Sequence, residues 1–275
     1  MEPEIKGKLR EALSGEMTPK FLATVDAQGK VNVVLIATLE PNGERKVAYA
    51  DFLMNKTAKN LDENSKVGVL VITEGLDWWS MTGDFTGWEK TGPLVDHFNE
   101  MDLFKYNAYT GVRRAGKIDL RTMEDSGKVG KLALLADFGI TKMKSGSFAR
   151  EGGAGKMPPP VAEKYGRLMG VKILAYVRND GYPECFVIQS AQPADNKTLV
   201  FGTLSASSKI AQLPEKTFCA VNVVTFEPVS YQVKGVFTGF SGTLWGKMGA
   251  IEIESVWCTS PPLCGERIDL DQRVL

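Results

Sequence analysis

One short segment of the chain combines residue types that bind a phosphate group. Between Asp51 and Leu61 the sequence reads DFLMNKTAKNL, in which a predicted strand ends near Asp51 and a helix begins around Asn55 to Thr57. The N-terminus of a helix offers unpaired N–H groups and a partial positive charge, to which Lys56 adds a cation and Thr57 a hydroxyl donor. Taken alone, the same letters more often belong to an ordinary capped surface helix with solvated lysines. The phosphate hypothesis therefore needs support from elsewhere in the chain.

The chain aligns with itself when it is shifted by 152 positions. In this register Leu22–Gly87 faces Leu174–Gly239 without a gap, and Gly29 falls on Gly181. Apolar positions and turn residues keep the register throughout the aligned stretch. A period of this length is too long for a solenoid, so each copy is a domain, and the sequence predicts a tandem duplication.

The second copy has a related junction at the same offset. Leu204–Leu213 again places hydroxyls and a lysine between a strand and a helix, but Lys56 aligns with Ser208 and Thr57 with Lys209. Charge-assisted hydrogen bonds contribute about 1.5–3 kcal/mol each, so both sets of side chains suit a phosphate. The exchange of residues leaves open whether the two junctions are equivalent and whether one site is empty.

Each copy is predicted to be mainly β. Short runs rich in β-branched residues alternate with turns that contain Gly, Asn or Pro, a pattern typical of antiparallel strands in a small closed or partly open barrel. Six strands are predicted in the first copy, at Phe21–Val25, Val31–Leu39, Lys46–Asp51, Val67–Thr73, Ser80–Phe85 and Gly116–Thr122. Six are predicted in the second, at Lys172–Val177, Glu184–Ala191, Thr198–Gly202, Phe218–Thr225, Ser230–Phe237 and Gly249–Ser255. The predicted fold class is mainly β (α+β), with two tandem six-stranded antiparallel barrels and short helices.

Helices and a linker complete the predicted organisation. Helices are predicted at Glu2–Leu13, Lys56–Glu63, Pro93–Tyr106 and, near the domain junction, Lys131–Phe138. The stretch Lys144–Met169 is rich in Gly and contains three successive prolines, which is typical of a linker. We therefore expect a first domain at 1–141, a linker at 142–169 and a second domain at 170–275.

Composition excludes several classes of function. The 33 basic and 33 acidic residues give no net charge with which to collect a polyanion, so nucleic acid is not expected as a main partner. No apolar run approaches the roughly 20 residues of a membrane helix, so no membrane partner is expected either. Four cysteines without a C-x-x-C pair favour a reduced, cytoplasmic protein. The single histidine, His97, excludes a zinc site with two histidine ligands.

Two other motifs carry less weight. Gly111–Lys117 satisfies the spacing GxxxxGK, but Ile118 stands where a nucleotide-binding loop needs Ser or Thr, and a strand follows instead of a helix. Cys258 and Cys264 would lie together in a turn, either as a redox-responsive pair or as two unrelated thiols. His97 is the only histidine available as a haem ligand, and nothing else in the sequence supports that role.

The order of these motifs resembles the flavin mononucleotide (FMN)-binding split-barrel family related to pyridoxamine 5′-phosphate oxidase. The resemblance in the first copy is carried by Gly29, Asn32, Asp51, Asn55-Lys56-Thr57, Lys59-Asn60-Leu61, Asn64, Val67 and Gly83. In the second copy it is carried by Gly181-Tyr182-Pro183, Ser207-Ser208-Lys209 and Gly235. It covers most of both copies and leaves the linker unexplained.

The resemblance implies a fold, a cofactor and a set of binding residues. Split barrels of this family pair with FMN in the crevice between them, so a tandem chain would form an intramolecular pseudo-dimer, with further homo-oligomers still possible. The residues implied for the cofactor are Asn32, Val33, Val34, Ala50, Asp51, Asn55, Lys56, Thr57, Lys59, Ser207, Ser208 and Lys209. The flavin ring would rest along the strand at Asn32–Leu35 and the strand end at Ala50–Asp51, and the phosphate would lie at Asn55–Lys59 and at Ser207–Lys209.

The function implied is redox chemistry on a small molecule with the flavin as the reactive group. The segment GERIDL at Gly265–Leu270 is unlike the Arg-Leu-x-Pro tail of pyridoxamine phosphate oxidases, which argues against that substrate. A non-catalytic flavin- or haem-binding or sensor protein of the same fold is the alternative, and a structural pseudo-dimer without cofactor is a third. The catalytic residues, the substrate and the electron donor are left open by the sequence.

Overall fold

A computed structural model of the chain describes residues 4–52, 54–101, 111–149, 156–227, 229–243, 246–260 and 263–268. In the first half, the helices are α1 (Gly7–Ser14), α2 (Lys56–Glu63) and α3 (Pro93–Glu100). The strands of that half are β1 (Lys20–Val25), β2 (Val31–Leu35), β3 (Glu40–Pro41), β4 (Lys46–Ala50), β5 (Lys66–Ile72), β6 (Asp77–Glu89) and β7 (Ala115–Lys128). Helix α4 (Lys131–Lys144), a 3₁₀ turn (Ser145–Phe148) and helix α5 (Pro159–Tyr165) follow.

The second half is also built mainly from strands. These are β8 (Val171–Val177), β9 (Pro183–Val187), β10 (Gln192–Pro193), β11 (Thr198–Gly202), β12 (Phe218–Val224), β13 (Ser230–Thr243), β14 (Gly246–Cys258) and β15 (Arg267–Ile268). A 3₁₀ turn at Ser208–Gln212 stands where the first half has α2. No helix within the described ranges has the length and apolar character needed to cross a membrane.

The two sheets have the same topology. The first runs β2-β1-β5-β6-β7-β4-β3, and the second, read from its opposite end, runs β9-β8-β12-β13-β14-β11-β10, with β15 added beside β14. All the pairs are antiparallel. This shared strand order confirms the predicted mainly β fold of two tandem antiparallel domains.

Backbone hydrogen bonds repeat at the predicted offset of 152. The Ile36 N–H donates to the Lys20 carbonyl at 2.7 Å, and the Ile188 N–H donates to the Lys172 carbonyl at 2.9 Å. The two copies thus share their local geometry as well as their strand order.

The sheets contain seven and eight strands, so the predicted count of six in each domain was too low. The added strands β3, β10 and β15 have two residues each, too few for a hydrophobic period to be visible in the sequence. Strand β6 (Asp77–Glu89) is longer than the predicted strand, whereas β2 ends at Leu35 instead of Leu39.

The connection between the domains is more helical than predicted. Helix α4 continues to Lys144, and α5 begins at Pro159, inside the expected linker. Proline is tolerated in the first turn of a helix because the N–H that it lacks would have no intrahelical partner there. The predicted Gly-rich stretch at 152–155 lies outside the described residues, as does the predicted end of α3 at 102–106.

The two domains pack through a continuous apolar contact. Strand β1 is buried on both faces: Leu22 belongs to the core of the first domain, whereas Phe21 and Ala23 join a cluster that includes Ile173 and Ala220 of the second. Successive side chains of a strand point to opposite faces, so one strand contributes to both cores. The domains therefore form the pseudo-dimer that the family resemblance implied.

Candidate functional site

A cavity of about 410 Å³ lies between the two domains. From the first domain it is lined by Asn32, Val34, Leu35, Ile36, Ala37, Thr38, Ala50, Phe52, Met54, Asn55, Lys56 and Thr57. From the second it is lined by Val224, Val229, Ser230, Trp257, Thr259, Ser260, Cys264 and Gly265. Most of these side chains are apolar, and the polar ones are concentrated at the start of α2 and at the ends of the second domain's strands. Cavities of about 300–1,000 Å³ with few polar groups are typical of small-molecule sites.

The first turn of α2 lies open towards this cavity. Asn55, Lys56 and Thr57 all line it, and the Asn55 side chain makes no capping hydrogen bond with the helix. The first N–H groups of a helix have no intrahelical acceptor, and they carry the positive end of the helix dipole. The buried Thr57 hydroxyl accepts a hydrogen bond from the side-chain amide (Nδ2) of Asn32 on β2, at 3.4 Å. These groups together form a donor-rich end of the cavity.

Two lysines from different domains meet at the same end. Lys234 of β13 is only 4% exposed, and its ammonium group donates to the Asn32 side-chain oxygen at 3.1 Å. The ammonium of Lys56 lies 4.1 Å from the centre of the Trp257 ring, and that of Lys234 lies 5.9 Å from it. Within the described part of the chain, neither lysine has a carboxylate within salt-bridge distance. Two amines therefore come together here without a carboxylate at salt-bridge distance.

The environment of Lys234 opposes its charged form. Burial is the main cause that lowers its pKa to about 6; the nearby charges of Lys56 and Lys30 act in the same direction, and Asp26 acts in the opposite one. A buried cation without an anionic partner is costly because its hydration is lost and not replaced. An anion bound beside Lys234 would supply the missing partner.

This pKa predicts how stability depends on pH. The unfolded chain binds a proton at Lys234 up to about pH 10.5, whereas the folded chain loses it near pH 6. The free energy of unfolding therefore falls as the pH drops from about 10.5 towards 6, by at most about 1.4 kcal/mol per pH unit. We expect Lys234→Met to flatten the rise in unfolding free energy between pH 6.5 and 9, as measured by urea denaturation. An unchanged slope would contradict this assignment.

The structure places only some of the predicted site residues around the cavity. Asn32, Val34, Ala50, Asn55, Lys56 and Thr57 all line the cavity, as a site built from β2, β4 and α2 requires. Val33 packs in the contact between the domains, because the side-chain alternation of β2 turns it away from Asn32 and Val34. Lys59 is exposed, and its ammonium group lies 3.9 Å from Glu63.

Asp51 plays a different part from the one that the sequence suggested. Its carboxylate is buried and accepts a hydrogen bond from Arg114 at 2.8 Å, and it does not line the cavity. The Asp51 N–H donates to the Arg114 carbonyl, also at 2.8 Å. This pair fixes the end of β4, from which Ala50 reaches the cavity.

Ser207, Ser208 and Lys209 lie away from this cavity. The Ser207 hydroxyl binds Asp125, and the Lys209 ammonium binds the carbonyl oxygen of Glu124. They lie against Asp125 and Glu124 of β7, so the structure does not bring them together with Lys56 and Thr57.

Sequence reasoning missed Lys234 and Trp257. The run Ser230-Tyr231-Gln232-Val233-Lys234 alternates polar and apolar residues, which usually indicates a strand with one face in water. Here the polar face is buried against the first domain, since Gln232 and Lys234 are 0% and 4% exposed. The one signal in the sequence was that Lys234 aligns with Thr82, a difference between otherwise similar strands.

Comparisons with known proteins agree with this architecture. The pyridoxamine 5′-phosphate oxidase family model matches residues 5–124, which spans the first domain from α1 to β7. The first domain is thus similar to the pyridoxamine 5′-phosphate oxidase family over 5–124, and the second domain repeats the strand order of the first. No curated protein matches the chain at a significant level.

Several solved structures are similar to part of the chain. HupZ of Group A Streptococcus is 15% identical, and the match covers 46% of this chain and 99% of HupZ with a TM-score of 0.38. An FMN-binding protein from Syntrophomonas wolfei subsp. wolfei is 19% identical over 44% of this chain and 85% of its own, also with a TM-score of 0.38. A pyridoxamine 5′-phosphate oxidase-related, FMN-binding protein from Nostoc punctiforme is 12% identical, with coverages of 44% and 80% and a TM-score of 0.33. Each match spans less than half of this chain.

Proposed function

We propose that the chain binds FMN in the cavity between its domains and acts as an oxidoreductase on a small molecule. The observation that carries the proposal is that Lys56, Thr57 and the uncapped N-terminus of α2 line one end of a mainly apolar cavity. The buried Lys234 does not itself line the cavity but is hydrogen-bonded to Asn32, which does. FMN has a matching polarity, with a phosphate at one end and a flat aromatic ring at the other. The match of the first domain to the pyridoxamine 5′-phosphate oxidase family model supports the same cofactor.

The donor-rich end suits a phosphate for electrostatic reasons. Lys56 and Lys234 would supply two cations, Thr57 a hydroxyl, and α2 its first N–H groups. Buried charge-assisted hydrogen bonds are about twice as strong as neutral ones, and a phosphate dianion would relieve the repulsion between the two ammonium groups. A phosphate monoester fits this end better than a neutral group does.

The rest of the cavity suits an aromatic ring. Val34, Ile36, Phe52 and Met54 present apolar surface, and Ala50 and Ala37 keep the space between them open. The hydroxyls of Ser230 and Thr259, which lie 2.6 Å apart and are both hydrogen-bonded to Asn222, are polar groups on the opposite wall, as is Ser260.

The flavin would supply the electron transfer, and the protein would position it. Lys56, Lys234 and Thr57 would anchor the phosphate, and the apolar walls would exclude water from the ring. No acidic or basic side chain is needed for that chemistry, which agrees with the absence of a carboxylate or histidine among the described residues that line the cavity. His97, the only histidine of the chain, lies 2.6 Å from Glu40, and it does not line the cavity.

The first test is the absorption spectrum of the purified protein, with mass spectrometry of whatever heat denaturation releases. A flavin spectrum with the mass of FMN is expected, or failing that, uptake of added FMN. A colourless protein that takes up no FMN would overturn the proposal. Sustained oxidation of NADH or NADPH would then identify a reductase, whereas a tightly bound but inert flavin would support the non-catalytic alternative.

The anchor itself is tested by the double substitution Lys56→Ala and Thr57→Ala. We expect the dissociation constant for FMN to rise by about tenfold or more, because at least one charge-assisted hydrogen bond is lost. Isothermal titration calorimetry measures the change. The matched control is Lys59→Ala, which removes an exposed lysine from the same helix and should leave the affinity unchanged. Equal affinities for both variants would place the phosphate elsewhere.

A further inference from the structure

The chain contains a second crevice, related to the first by the duplication. In the first domain the Ala50 N–H donates to the Thr38 hydroxyl at 3.1 Å, and in the second the Gly202 N–H donates to the Ser190 hydroxyl at 3.0 Å. Ala50 and Thr38 both line the cavity described above. Gly202 and Ser190 therefore mark the corresponding wall of the second crevice.

Helix α4 lies against that wall. The Asp137 carboxylate accepts hydrogen bonds from the N–H of Ser205 at 3.0 Å and from its hydroxyl at 2.6 Å. The Phe138 carbonyl accepts one from the side chain of Gln192 at 3.1 Å. A Cβ placed on Gly202 would stand 1.8 Å from an oxygen of Asp137, so the helix occupies the space that a side chain, or a ligand, would need.

Helix α4 is held by polar as well as apolar contacts. Asp137 is 2% exposed, Thr141 is fully buried and Leu134 is 8% exposed, whereas Leu132 and Leu135 of the same helix are 84% and 55% exposed. A helix that docked through hydrophobic burial alone would turn most of its leucines inward. The buried Asp137 carboxylate meets the hydrogen-bond donors of Ser205 at a strand end, which is the kind of place that accepts an anion.

The remainder of the second crevice has lost the charge of the first. Asn32 is replaced by Glu184 and Lys56 by the exposed Ser208. The Lys209 ammonium group donates a hydrogen bond to the backbone carbonyl of Glu124. The carboxylate of Glu124 forms a salt bridge with Arg178 at 2.6 Å. An external phosphate would meet carboxylates here instead of free cations.

We infer that α4 is a built-in occupant of the second crevice, with Asp137 against the wall that corresponds to Ala50 of the first, so that the chain binds one cofactor molecule instead of two. The stoichiometry rests on the proposed function, but the docking of α4 does not. The duplication thus produced one open site and one site that the chain fills with its own connecting segment, which fastens the two domains together.

Two measurements test the inference. Titration of the intact chain with FMN should saturate at one molecule per chain, and Lys234→Met should weaken that single binding event without revealing another. Saturation at two molecules per chain would overturn the inference. If no FMN binds at any ratio, the proposed function fails, and the second measurement alone decides the role of α4.

The second measurement is hydrogen exchange of the α4 backbone. Asp137→Ala removes the acceptor for both Ser205 bonds and should speed exchange across Lys131–Lys144 by about tenfold or more, with little change in β5 of the first domain. Lys142→Ala, on the exposed side of the same helix, is the control and should change neither. Unchanged exchange in Asp137→Ala would show that the carboxylate does not hold the helix, and the inference would be wrong. Gly202→Ala should release α4 in the same way, because its methyl group collides with Asp137.

Discussion

Replacing Lys234 with Met is expected to weaken FMN binding by about 10- to 150-fold while making the ligand-free protein more stable. The loss of affinity corresponds to one charge-assisted hydrogen bond of about 1.5–3 kcal/mol. Burial and the charge of Lys56 depress the pKa of Lys234 to about 6, because the protonated amine is unfavourable in this apolar place. Removal of the amine should therefore stabilise the folded protein. Methionine has a similar length and no charge to desolvate.

The opposite signs of the two effects make the experiment decisive. A variant that binds weakly because it is misfolded would also unfold at lower urea concentration, whereas this one should unfold at higher concentration. Affinity is measured by flavin fluorescence at pH 6.5, and stability by urea denaturation at the same pH. Lys30→Met is the matched control, since Lys30 is half-exposed, lies over the Phe218 ring and forms a salt bridge with Glu254. Unchanged affinity in Lys234→Met would remove Lys234 from the cofactor site.

Replacing Arg114 with Met is expected to destabilise the protein by about 3–5 kcal/mol. The Asp51 side chain is 3% exposed, and its second oxygen has no hydrogen-bond partner among the described residues, so Arg114 supplies its one charged contact. Removal of one partner from a buried ion pair leaves an uncompensated charge, which is far more costly than the loss of a surface pair. Arg114 also stacks 3.7 Å from the centre of the Trp88 ring, and that contact is lost as well.

Two further variants separate the buried charge from other effects. Lys46→Ala breaks an exposed pair with Asp119 on the neighbouring strand and should cost about 1 kcal/mol or less. Adding Asp51→Asn to Arg114→Met should recover part of the lost stability, because an amide carries no charge to leave uncompensated. A loss as small as that of Lys46→Ala would mean that Asp51 does not depend on Arg114. Because this pair fixes the end of β4, the single variant should also weaken FMN binding.

Much of this protein was determined by local features of the sequence. The period of 152 predicted two domains, and the alternation of β-branched residues with turns predicted strands whose order proved the same in both. The predictions of the fold succeed because turn chemistry and strand period depend on residues close together in the chain. The strand-to-helix junction at Asn55–Thr57 predicted a phosphate site, which stays a prediction, and the structure places Asn32, Lys56 and Thr57 along one cavity.

Tertiary structure alone decided which residues share a site. Lys234 donates to Asn32 across 202 positions of sequence, and no local pattern indicates that the polar face of its strand is buried against another domain. Ser207–Lys209 look like phosphate ligands in the sequence, but Glu124 and Asp125, which engage them, come from the other domain. Helix α4 was predicted near the domain junction, and only its packing shows that Asp137 faces inward while Leu132 and Leu135 face outward. Burial and partnership depend on contacts between distant segments, and those contacts form only when the two domains close on each other.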